Sequence, residues 1–348
     1  MRYIISIIAL VVVSVSWGSR PKQISNSPYH ALAFPGAIEK IACSPDNRLV
    51  AIASQNGLYL YDTFTRAEPS LLISGHTMSV AFNPEGTILA SGRRDKKVHL
   101  WKMATDEHVE LKGHMDAVLS VCFSPDGQIL ASGSDIDDGT VRLWDVAQEK
   151  EIGRLPLETD VAYSLAFRPD GQMLAVGEYN ITSLWNPHTQ DILTMFIRRQ
   201  GFGPELWIRC LAFSPDGAVL AVGSSDNVVN LWNLSDIAVA QHVGQLRNSG
   251  DVEFVDFTPD GDQLAYGGWG RIIAVYDTVG RETVYWESGT RWIRSGVLSS
   301  DGKRLITASK EGDIQFWQMP KRATNVATRL QDRITIQWSL IKTGSNAR

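Results

Sequence analysis

Residues 118–145 read VLSVCFSPDGQILASGSDIDDGTVRLWD. The apolar run Val118 to Phe123 stops at Ser124-Pro125-Asp126-Gly127, where proline fixes φ for a type I turn and glycine supplies the left-handed residue that follows. Gln128 to Ala131 returns from the turn. Val141-Arg142-Leu143-Trp144 alternates as a third strand, and Glu151 to Leu155 follows as a fourth. A single antiparallel sheet of this kind cannot bury both of its faces.

The same pattern occurs seven times: an apolar run, a turn, a second run ending in small residues, and a third ending in Trp or Tyr. The units are Ile41 to Asp62, Val80 to Lys102, Val121 to Asp145, Leu165 to Asn186, Leu211 to Asn233, Val255 to Asp277 and Gly296 to Gln318, with turns at Pro45, Pro84, Pro125, Pro169, Pro215, Pro259 and Ser300. Successive turns lie 39, 41, 44, 46, 44 and 41 residues apart. Self-similarity at this period marks a repeat architecture, in which each sheet covers its neighbours.

These residues resemble the WD40 repeat family of seven-bladed β-propellers, over roughly Tyr29 to Gln318. Gly75-His76 and Gly113-His114 are similar to the Gly-His of the family, and Trp144-Asp145 is its name-giving dipeptide. Elsewhere the dipeptide departs from the pattern, as Tyr61-Asp62, Trp101-Lys102, Trp185-Asn186, Trp232-Asn233, Tyr276-Asp277 and Trp317-Gln318, yet an aromatic remains each time. The resemblance implies an all-β fold of four-stranded antiparallel blades around a central channel. It also implies buried tetrads, His76, Ser91, Asp95 and Trp101 in blade two and His114, Ser132, Asp138 and Trp144 in blade three. Indole can only donate, hydroxyl relays and imidazole bridges to carboxylate, so all four polar groups are satisfied away from water. A His-Ser-Asp grouping invites a hydrolase reading, but its recurrence in two blades and the Trp cap on the hydroxyl argue against one.

Closure of the ring requires a partner for the last outer edge. Tyr29 to Phe34 resembles the outer strands ahead of the Gly-His pairs and is the preferred candidate; Arg333 to Ile341 competes for the place. The expected organisation is a signal peptide or membrane anchor over 1–19, a linker over 20–28, the propeller over 29–320 and a basic extension with a possible extra strand over 321–348. The run Tyr3 to Val13 behind Arg2, with Ser14 and Ser16 after it, supports the first element and with it an exported or membrane-anchored protein. Charge balance around that run leaves its orientation open.

The 348 residues carry a formal net charge of -5, which disfavours non-specific nucleic-acid binding. Lys321, Arg322, Arg329, Arg333, Lys342 and Arg348 concentrate positive charge at the C-terminal end, against Asp332 alone. Cys43, Cys122 and Cys210 fall in strand-like runs and read as buried hydrophobes. GxxxxGK[ST], HExxH, GxSxG and CxxC motifs are all missing, and Asp135, Asp137 and Asp138 ahead of Gly139 have the wrong register for a calcium loop. No catalytic residue, cofactor or metal is implied, and the chain is expected to be a non-enzymatic, monomeric scaffold for a protein or peptide.

The resemblance also locates a binding face, at the residues eight and six positions before the turn proline and the one before the tetrad Asp. Blade five supplies Trp207 and Arg209 there, blade six Asp251, Glu253 and Trp269, and blade seven Trp292, Arg294 and Lys310. Trp and Arg are the residues most enriched in interface hot spots, and Arg grips carboxylates in bidentate fashion. Two readings stay open. In one, these residues hold a partner loop or peptide with an acidic group; in the other, the indoles pack between blades and the arginines pair with Asp251 and Glu253. A small-molecule site or enzyme at the channel mouth, using Glu39, Glu253, Arg209, Arg294 and Tyr163, is the alternative function.

Overall fold

The computed structural model describes residues 21–197, 206–237 and 240–321. The expected signal or anchor over 1–19, the extension after Lys321 and the competing strand Arg333 to Ile341 lie outside the described residues. Seven antiparallel sheets follow one another in chain order, each running from an inner to an outer strand. The inner strands are Ile38–Cys43, Thr77–Phe82, Val118–Phe123, Ser164–Phe167, Ile208–Phe213, Val252–Phe257 and Ile293–Leu298. Each lies beside the next, and the seventh returns to the first, so the blades form a closed ring around a channel. The described residues contain no α-helix.

The repeated turn is locked by its own side chains. In blade three Ser124 Oγ donates to Asp126 Oδ1 at 2.6 Å and accepts from the Ile129 N–H at 2.9 Å. The same hydroxyl-to-Asp bond joins Ser44 to Asp46, Ser214 to Asp216, Thr258 to Asp260 and Ser299 to Asp301. This explains why the seventh blade dispenses with proline at Ser300. The Ser and Asp define the turn without it.

His30–Ala33 supplies the outer strand of blade seven, from His30 opposite Phe316 to Ala33 opposite Asp313, so the N-terminal strand closes the ring. Phe34 N–H donates to Gly312 O at 2.7 Å. Gly312 has φ +101°, and a Cβ there would lie 2.1 Å from Phe34 O, so the closure requires glycine. The expected linker is partly structured. Lys22–Gln23 adds a parallel fifth strand to blade six, against Val284 and Tyr285, and Ile24 packs on the core between blades six and seven. The free outer edge of blade six accounts for this, since its unpaired backbone groups accept an extended segment.

The inner strands are stitched to one another by hydroxyls five positions before the turn. Ser120 donates to Ala162 O at 2.9 Å and Ser164 to Ile208 O at 3.1 Å, while Ser79 accepts from Val121 N–H and Ser295 from Ile41 N–H, both at 3.2 Å. Cys210 Sγ takes the same place beside Val252 O. Burial pushes the thiols of Cys43, Cys122 and Cys210 up, that of Cys43 to about 11, as expected of inert packing groups. Blade six breaks the series with Phe254, whose ring is admitted because blade seven has Gly296 opposite; a Cβ there would lie 2.5 Å from the ring. The stitch moves down the strand, where the Asp256 carboxylate accepts the Leu298 N–H at 2.8 Å.

Candidate functional site

Inner strands begin on one face of the ring, and the proline turns lie on the other. The starting face therefore carries the connections between blades and those between second and third strands. Near this face six inner strands shift register by one residue against their second strands. The residues skipped are Glu39, Met78, Leu119, Arg209, Glu253 and Arg294. A bulge of this kind re-aims a side chain out of the ladder. Here it places the position six before the turn at the channel mouth.

Charged side chains at the mouth form a chain across five blades. His76 Nε2 lies 3.2 Å from Glu39 Oε1. Glu39 Oε2 accepts from Arg294 Nη2 at 3.2 Å and Nε at 3.3 Å, and Arg294 Nη1 donates to Glu253 Oε2 at 3.1 Å. Glu253 Oε1 then lies 3.9 Å from Arg209 Nε, and both atoms are buried without a hydrogen bond among the described residues. The Arg209 guanidinium sits 4.4 Å over the Trp207 ring and 5.6 Å over Tyr163, and the two rings stack at 4.9 Å. The arginines are thus held by Glu39, Glu253 and aromatic faces. Of the two open readings, pairing with carboxylates is observed in part: Arg294 is hydrogen-bonded by Glu39 and Glu253, Arg209 faces Glu253 without a hydrogen bond, and neither pairs with Asp251. Burial, with Glu253 adding to it, raises the Asp251 carboxyl above its ordinary value.

The indoles of this sector divide. Trp207 is half-buried under Arg209, whereas Trp269 and Trp292 are each 46% exposed. Trp292 has φ +55°, a left-handed conformation that is costly for a bulky residue, and its carbonyl accepts the Lys310 N–H at 2.9 Å. Lys310 itself is exposed.

The two expected tetrads have different geometries. In blade three Trp144 Nε1 donates to Ser132 Oγ at 2.8 Å, Ser132 Oγ bonds His114 Nε2 at 2.7 Å, and His114 Nδ1 meets Asp138 Oδ2. Asp138 as an acceptor fixes the imidazole proton on Nδ1, so Ser132 donates to Nε2. Burial lowers the His114 pKa. Burial opposes the charge on Asp138 as well, but the His114 bond, Ser134 and Arg142 outweigh it and hold the carboxyl far below the usual range. In blade two the expected set His76, Ser91, Asp95 and Trp101 does not join. His99 Nε2 takes Asp95 at 2.9 Å and the buried Arg93 guanidinium lies 3.5 Å from the same oxygen, so His76 turns to Glu39. Ser91 Oγ and Trp101 Nε1 are left without a hydrogen bond among the described residues, and Trp101 stacks on His108 at 4.0 Å instead.

Blade four carries a related network that the repeat pattern does not announce. Trp185 Nε1 donates to Ser183 Oγ at 2.9 Å, and Ser183 donates to Glu178 Oε1 at 2.7 Å. The other Glu178 oxygen accepts from the Glu158 and Thr159 N–H groups and the Thr159 hydroxyl, at 3.0, 3.2 and 3.3 Å. Burial raises the pKa of this fully enclosed carboxyl. The signal in the sequence is a Glu following Ala175-Val176-Gly177, where blades three and five place Ser134 and Ser224 after the corresponding glycine.

Comparison with known proteins agrees with this architecture. The family described as the IFT122 first beta-propeller matches residues 106–342, and the WD domain, G-beta repeat matches residues 68–102. Periodic tryptophan protein 2 of Arabidopsis thaliana is 30% identical over 238 residues, which is 66% of this chain and 25% of that protein. Apoptotic protease-activating factor 1 of Danio rerio is 30% identical over 115 residues, 31% of this chain and 9% of that protein. The chain therefore spans a quarter or less of the length of these relatives. Among solved structures, a chain of the mitotic checkpoint complex superposes with a TM-score of 0.76 at 20% identity, covering 90% of this chain and 99% of that one, a likeness of fold.

Proposed function

Because the chain belongs to the WD40-repeat β-propeller family, as the match to the IFT122 first beta-propeller over residues 106–342 establishes, we propose that it is a non-catalytic scaffold whose partner docks over blades five to seven. WD40 propellers are in general protein-interaction scaffolds, and this chain shares the fold that serves that role. The observation that carries the choice of sector is the pair of exposed indoles, Trp269 and Trp292, on adjacent blades of one face. Exposed Trp costs solvation and recurs at interface hot spots, where it inserts into a partner.

The test places a photo-crosslinking amino acid at 269 or 292 and, as a control, at Phe64, which is 75% exposed on the opposite face. Crosslinks to one recurring partner from 269 and 292 but not from 64 support the sector. Equal yields from all three positions refute it. We propose also that residues 1–19 direct export or anchor the chain, which N-terminal sequencing of the mature protein and fractionation of the expressing cells will decide.

A further inference from the structure

The arginines nearest the channel are neutralised, but a second set of cations lies outside them, around the exposed indoles. Arg271 follows Trp269 by two residues, Arg291 precedes Trp292, and Lys310 is bonded through its backbone to the Trp292 carbonyl. The Ser288 N–H donates to Arg271 O at 2.7 Å, which ties the Trp269 loop to the segment leading to Trp292. All three cations are exposed, and none has a side-chain hydrogen bond or ion pair among the described residues. The other exposed charges beside them are Arg247 at the end of blade five, Glu287 and Glu311. Cations therefore exceed exposed carboxylates on this rim.

Across the ring the same face has the opposite sign. Asp116, Asp135, Asp137, Glu158 and Asp160 lie in the connections of blades three and four, with Arg94, Lys96 and Lys112 as nearby cations. An anionic segment approaching the face is repelled from that side and attracted to the other.

We propose that Trp269, Arg271, Arg291, Trp292 and Lys310 form the anchoring site for an acidic, carboxylate-rich segment of a protein partner, with the indoles covering its apolar atoms. This deepens the scaffold reading and rests on it. It moves the recognition of charge from Arg294, which Glu39 and Glu253 hold, and Arg209, which is covered by Trp207 and faces Glu253, to the exposed outer rim of blades six and seven. The left-handed backbone at Trp292 is consistent with this role, since it holds the indole out on the face at a cost that packing in the ring does not repay.

The test uses the full chain and a fluorescein-labelled peptide of alternating Glu and Asp with one central Leu, with the Lys counterpart as control. Binding is measured by anisotropy. The acidic peptide is expected to bind, with affinity falling at least about tenfold between 50 and 300 mM salt. The triple variant Arg271→Glu, Arg291→Glu and Lys310→Glu should lose binding with little change in melting temperature, since these exposed side chains make no hydrogen bond or ion pair among the described residues. Trp292→Ala should weaken binding about tenfold or more, as hot-spot truncations do. Equal binding of the Lys peptide, or acidic-peptide binding that survives the triple reversal, overturns the proposal. Failure of the broader reading is distinguishable: if photo-crosslinks from 269 and 292 persist in the triple variant, the sector binds a partner but not through acidic recognition.

Discussion

Ser91 and Ser132 occupy the same position in successive repeats, each two residues beyond the leucine that pairs with the third-strand Trp, and the structure gives them unequal weight. Ser132 Oγ accepts from Trp144 Nε1 at 2.8 Å and bonds His114 Nε2 at 2.7 Å, inside a network buried from water. Ser132→Ala would orphan one buried donor and one buried acceptor. At about 1–3 kcal/mol for each unsatisfied group, partly relieved by relaxation, the cost is about 2–4 kcal/mol. Ser91 is equally buried but its hydroxyl bonds nothing among the described residues, so Ser91→Ala should fall within about 0.5 kcal/mol of wild type or stabilise it. Thermal unfolding followed by circular dichroism should show a drop of about 3–7 °C for the first variant and little change for the second. Hydrogen exchange of the Trp144 indole N–H, fast in Ser132→Ala and slow in Ser91→Ala, would localise the loss. Equal costs for the two serines would refute the reasoning, since they would mean that blade two closes the same network as blade three.

Arg294→Met removes the cation shared by Glu39 and the buried Glu253 and should cost about 2–4 kcal/mol, seen as a lower urea midpoint at unchanged slope; an unchanged midpoint would show that the charge chain carries no stability. The folded state disfavours a proton on His114 and on Asp138, whereas the unfolded chain takes one at each, near pH ~6.5 and ~4. Stability from both is present at neutral pH and lost on acidification, first through the histidine range and then through that of the carboxylate. Asp138→Asn should therefore be destabilised by about 2 kcal/mol at pH 7, and the gap from wild type should narrow as pH falls below about 5; a gap constant with pH would contradict the assignment. Gly296→Ala drives a methyl to 2.5 Å from the Phe254 ring and should cost about 1–3 kcal/mol, recovered by adding Phe254→Leu, as unfolding midpoints of the single and double variants will show.

The architecture was legible because one local turn recurs at nearly constant spacing and ends each inner strand, locked by a hydroxyl-to-Asp bond in five of the seven blades. Counting back six positions from that turn reaches the bulged residue at the head of the six inner strands that are six residues long. What the repeat pattern conceals is competition between side chains from different strands. Asp95 has the right spacing for His76, but His99 and Arg93 lie closer to it, and nothing in the spacing ranks the three. Glu178 escapes the pattern for the converse reason, since it does with a carboxylate what blade three does with the His114 imidazole. The division of the rim into occupied and free cations depends on which carboxylate stands one blade away. Glu39 and Arg294 are 255 residues apart in sequence and adjacent only after the ring closes.

The skipped residue at the head of six inner strands separates two tasks that a regular strand would merge. A side chain that takes no place in the ladder can change identity without disturbing the pairing beneath it. Glu, Met, Leu, Arg, Glu and Arg accordingly occupy equivalent places on one unvarying frame. The mouth is in this sense a row of interchangeable settings. Grafting another propeller's residues at these six sites, with carboxylates and guanidinium groups exchanged in neighbouring pairs, would transplant a specificity while leaving the frame that displays it intact.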